Sequence, residues 1–82
     1  MKVDKDVGVK NINNFYFALR EEVEGNTQVV LDFSDSARID SSAAQVILAA
    51  LKKVKELDKI IRFVGVSPDL KKLFMLSGIK LQ

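Results

Sequence analysis

Two hydrophobic rhythms take turns along this chain, and their alternation limits its folds more than any other feature. Ile12, Phe15, Leu19 and Val23 fall three and four residues apart, which puts them on one face of a helix spanning about Asn11 to Glu24. Asn11 or Asn13 can cap its start, and Gly25 stands where a left-handed residue would end it. The rhythm then changes. TQVVLDF, residues 27–33, is rich in β-branched residues and bounded by polar turns, so it reads as a strand. Its apolar run Val29, Val30, Leu31 predicts a strand covered on both faces.

The helical period returns from about Ser42 to Leu57. Ala43, Ile47, Ala50, Val54 and Leu57 form the expected buried stripe, with Ala44 and Leu51 beside it. KIIRFVGV, residues 59–66, is a further strand. Ser67-Pro68 then opens a third helix, because serine caps well and proline at the first helical position gives up no needed hydrogen bond. Leu70, Leu73 and Phe74 face inward there, and Ser77-Gly78 closes it. Met1 to Val9 and Ile79 to Leu81 supply short flanking strands. Strands alternating with helices imply a mostly parallel sheet with right-handed crossovers. Functional sites in such sheets gather at the C-terminal ends of strands.

Composition narrows the chemistry. With 82 residues the chain is expected to form one domain, residues 1–82. It has no cysteine and no histidine, which removes thiol chemistry and the commonest general base and zinc ligand. No catalytic pair is visible, so the chain is read as a non-enzyme without a metal or cofactor. The N-terminal residues lack the apolar stretch of a signal peptide. No run approaches the roughly 20 apolar residues that span a bilayer. A cytoplasmic protein without membrane insertion is the expectation.

Charge is unevenly placed. Residues 1–41 carry five Lys/Arg and eight Asp/Glu, whereas residues 42–82 carry eight and three. The basic half reads as solvated helix faces rather than a nucleic-acid surface, because arginine is sparse and the aromatics fall at core-like positions.

ARIDSSAAQV, residues 37–46, is the one stretch that capping alone does not explain. Ser42-Ala43-Ala44-Gln45 fits a capping box, and Asp40 or Ser41 can cap instead. One cap needs one of these residues, not all three. A helix N-terminus also presents unpaired amides and partial positive charge, so a phosphate on Ser41 would be tolerated by the helix. It would add about −1.5 to −2 charges beside Asp40 and change what a partner meets. Asp32, Asp35 and Asp40 also cluster in sequence; loop solvation is the favoured role over cation binding.

LDFSDSARIDSSAAQVILAALKKVK resembles the central segment of STAS domains, typified by bacterial anti-sigma factor antagonists. FVGVSPDLKKLFMLSGI, residues 63–79, is similar to a second family segment. The resemblance implies a small α/β STAS-like domain with a mixed, mostly parallel sheet and about three helices packed largely on one side. It also implies shortening at both ends, with an exposed sheet edge that favours pairing with a second copy or a partner.

The resemblance further implies a protein-binding module of transcription regulation. Ser41 would be phosphorylated by a partner anti-sigma factor with serine kinase activity. Asp40, Ser41, Ser42 and Ala43 would form the contact, with Asp40 shaping the site and Ser42 capping the helix. Ala43 stands where the family usually has glycine. The alternative is a constitutive subunit of a lipid-transport or other transporter ATPase complex, without a phosphoswitch.

Overall fold

A computed structural model describes residues 1–81. Seven elements follow in order: β1 (Asp6–Val7), α1 (Ile12–Gly25), β2 (Gln28–Asp32), β3 (Arg38–Ile39), α2 (Ser41–Glu56), β4 (Ile60–Val64) and α3 (Pro68–Leu76). The alternation of strand and helix is as the periodicity predicts. Strands β2 and β4 pair in parallel with Val30 opposite Arg62, and β1 pairs in parallel with β3. Met1 to Val3 also lies along β2, with Val3 N donating to Asp32 O and Asp32 N to Met1 O. Every pairing among the described residues is parallel, and in place of one mixed sheet the strands form two small parallel sheets, β1–β3 and β2–β4.

Burial along β2 alternates strictly. Val29 and Leu31 are buried while Gln28 and Val30 are exposed. The expectation of a strand covered on both faces is therefore wrong, and the apolar Val30 faces solvent. The helices lie against one face, as the family resemblance implies. On that face Phe33 stacks on Phe63 at 6.0 Å and meets Phe74 of α3 edge-on at 5.3 Å. These rings, with Leu19, Leu31 and Ile47, fill the centre of the core.

Local rules explain how most elements end. Helix α3 stops in a two-bond left-handed turn: Ile79 N donates to Phe74 O and Gly78 N to Met75 O, with Gly78 at φ +86. Ile79 then folds back into the core at 3% exposure, so residues 79–81 end the helix rather than form the expected strand. Helix α2 ends the same way, with Asp58 at φ 56 in the left-handed position.

Helix α1 departs from expectation. Gly25 is its last helical residue and has no positive φ; Asn26 leaves it extended and donates from Nδ2 to Glu22 O at 2.9 Å. A side chain here satisfies the open carbonyl that a left-handed glycine would otherwise cover. Leu57, expected in the buried stripe of α2, is 45% exposed, and Ala50 is half-buried. The two residues line a groove beside α1.

Candidate functional site

The C-terminal ends of β1 and β3 lie side by side and launch α1 and α2. Asp40 stands at this junction. Its N–H donates to Val7 O at 3.1 Å, which extends the β1–β3 pairing by one bond. Its extended backbone (φ −86, ψ 178) then turns the chain into α2. The carboxylate caps that helix: Oδ1 accepts from Ala43 N at 3.1 Å and from Ser42 Oγ at 2.5 Å. These bonds favour the ionised form. The Ser42 hydroxyl first, and the Ala43 amide second, hold the Asp40 carboxyl below the usual carboxylate range.

The capping box expected between Ser42 and Gln45 does not form. Ser42 is the second residue of the helix and its hydroxyl donates to Asp40, while Gln45 is exposed. Tertiary contacts decide between the three candidates, because the Val7 bond holds Asp40, and not a serine, at the cap position. The carry-over of a capping role to Ser42 is corrected accordingly.

The loop from Gly8 to Asn11 packs against Asp40. A Cβ on Gly8 would stand 2.9 Å from Asp40 Oδ2, so any side chain there would displace the carboxylate. Asn11 holds the loop in turn. Its Oδ1 accepts from Gly8 N at 2.9 Å and its Nδ2 donates to Asp6 O at 2.7 Å. Asn11 sits at the N-cap of α1 but makes no side-chain cap bond, because its amide is committed to this loop. Val9, 80% exposed, projects from the same loop. Sequence reasoning missed Gly8 and Val9, and read Asn11 only as a cap for α1. Their one signal was a glycine between a short strand and a helix.

Ser41 is the first residue of α2 and is exposed. No hydrogen bond from its hydroxyl to any described residue is seen, in contrast to Ser42. Ala43 is fully buried at 0%, so its methyl lies in the core and no partner can touch it in this conformation. The clustered aspartates disperse. Asp32 accepts from Ser34 Oγ at 2.6 Å, Asp35 pairs with Lys2 at 2.9 Å, and Asp40 caps α2. No group of three acidic side chains suited to a metal forms among the described residues.

The family model described as "Mlab, STAS domain" matches residues 1–80. The chain belongs to the STAS domain family. No curated protein matches it. Such a STAS domain mediates protein–protein interaction as a regulatory or binding module. In this STAS domain the aspartate and the two serines separate into three roles. Asp40 closes the helix start, Ser42 braces Asp40, and Ser41 alone presents an uncommitted hydroxyl. No helix among the described residues is long and apolar enough to cross a membrane.

Proposed function

We propose that this STAS domain is a regulatory protein-binding module whose affinity for its partner is set by phosphorylation of Ser41. The supporting observation is the exposed Ser41 hydroxyl at the start of α2, beside a cap already satisfied by Asp40. A phosphate there would stand at the positive end of the α2 dipole, so the fold would tolerate it. It would also stand next to the ionised Asp40, and the local surface would turn strongly acidic. A partner that docks on Asp40, Ser41 and Ser42 while Ser41 carries no phosphate would then be repelled. The partner in this reading is an anti-sigma factor with serine kinase activity. Ala43 contributes indirectly, by seating the first turn of α2 in the core.

A second reading is a constitutive subunit of a lipid-transport or other transporter ATPase complex. What favours it is the matched family model itself, whose description names Mlab. The same face would then bind a neighbouring subunit permanently.

One experiment separates the two. Wild type, Ser41→Ala and Ser41→Asp serve as parallel baits in native lysate, and mass spectrometry identifies the bound proteins and any phosphate on Ser41. Retention of a kinase-like ATP-binding protein by wild type and its loss by Ser41→Asp support the switch. Equal retention of a transporter ATPase subunit by all three baits overturns the switch and supports the fixed subunit.

A further inference from the structure

Helices α1 and α2 begin together at the Gly8–Asp40 contact. They end together as well, where Lys59 Nζ donates to Val23 O. They therefore run side by side in the same direction. Between them lies an open groove of about 480 Å³ with a largely apolar floor. Its rim carries Tyr16 and Leu57, each 45% exposed, and Phe17, 58% exposed, stands beside Tyr16 on the outer side of α1. The expectation that the aromatics are core residues fails at Tyr16 and Phe17, which pack on each other edge-on at 5.3 Å.

The two walls of this face carry opposite charge. On its outer side α1 presents Glu21 and Glu24 with Arg20, and α2 presents Lys52 and Lys53 with Glu56. Glu24 makes an exposed pair with Arg20. Glu21, Lys52 and Lys53 have no ion-pair partner among the described residues.

We infer that the α1–α2 face is the interface of a twofold dimer of this chain, with α1 of each copy lying over α2 of the other. The argument is self-complementarity. A twofold interface brings the same surface together from both sides, so it must match itself. When the twofold axis runs along the helices, the acidic helix of one copy covers the basic helix of the other. Heights along the helices are kept by that rotation. Glu24 lies as far beyond the start of α1 as Lys53 lies beyond the start of α2, so the two meet across the axis. Phe17 and Val46 correspond in the same way. An in-plane axis perpendicular to the helices would stack α1 on α1 and lose the match.

Exposed ion pairs contribute little each, so Tyr16, Phe17 and Leu57 supply most of the affinity and the charges set the register. This interface does not depend on the proposed phosphoswitch.

Sedimentation of the full chain at about 100 μM, where weak dimers become visible, tests the inference. Wild type is expected to be dimeric. Lys52→Glu with Lys53→Glu, and separately Phe17→Ser, should each weaken the dimer about tenfold or more. Adding Glu21→Lys and Glu24→Lys to the lysine variant swaps the two walls and should restore the dimer to within about threefold, since the pairings are remade. Circular dichroism confirms that each variant is folded. A monomeric wild type overturns the inference. So does a dimer indifferent to the charge reversals, which would point to pairing through the β4 edge. So does a reversal that the swap fails to rescue.

Discussion

Two helices of this STAS domain start at strand ends with serine and aspartate close together, yet they start differently. Helix α3 uses Ser67 as its cap, with Ser67 Oγ accepting from Leu70 N at 3.2 Å, Pro68 at the first position and Asp69 in the first turn. Every residue there has a local task. Helix α2 uses Asp40 as its cap and Ser42 to brace it, and Ser41 is left over. The α3 start is built from adjacent residues alone. The α2 start depends on a second segment, the Gly8–Asn11 loop, which closes over Asp40. A start that needs a distant loop and keeps a spare hydroxyl is the one suited to regulation; a self-sufficient start suits structure.

The comparison breaks most sharply at Gly65, just before α3. Its φ is +67, and a Cβ there would stand 2.8 Å from Ser34 N in the backbone. Gly65→Ala should cost about 2–3 kcal/mol, from left-handed strain plus a clash with main chain. Thermal unfolding should show a fall of roughly 10 °C or more. Ser67→Ala comes next. Loss of the α3 cap should cost about 1 kcal/mol and leave partner binding unchanged in a pull-down.

The α2 cap should reveal itself through acid. The folded-state pKa of Asp40 lies below 3.8, so its stabilisation is complete above the unfolded value of about 3.9 and is lost as pH falls through the folded value. Urea unfolding from pH 6 down to pH 3 should therefore weaken wild type more than Asp40→Asn. A Ser67→Ala variant should keep the wild-type acid response, because a hydroxyl cap does not titrate in this range. The smallest effect is expected at Ser41. Ser41→Ala should stay within about 0.5 kcal/mol of wild type in denaturant unfolding, as for other exposed residues without a structural task. A larger loss would show that Ser41 holds the helix and would erase the difference between the two starts.

Much of this was legible in residues 59–79. Ser67-Pro68 at the start of α3 and Ser77-Gly78 at its end act through bonds within a few residues, so the local pattern was enough. The DSS segment was legible as a site but not as an arrangement. Asp40, Ser41 and Ser42 are all competent caps and differ little in intrinsic preference. Choosing between them required the bond from Asp40 N to Val7 O, which joins residues far apart in the chain. Tyr16 and Phe17 were misread for a related reason, because being aromatic predicts burial on average and not the outer side of a particular helix.

By itself, the sequence determined the alternation of strand and helix, the parallel sense of strand pairing, the inward face of α1 and the start and stop of α3. These follow from periodicity and from capping chemistry, whose range is a single turn. Tertiary structure alone decided that Val30 of β2 faces solvent, and that Asp40 caps α2 while Ser41 stays free. Each of those outcomes turns on a contact between segments whose local energies are nearly balanced. Where local preferences tie, long-range packing breaks the tie.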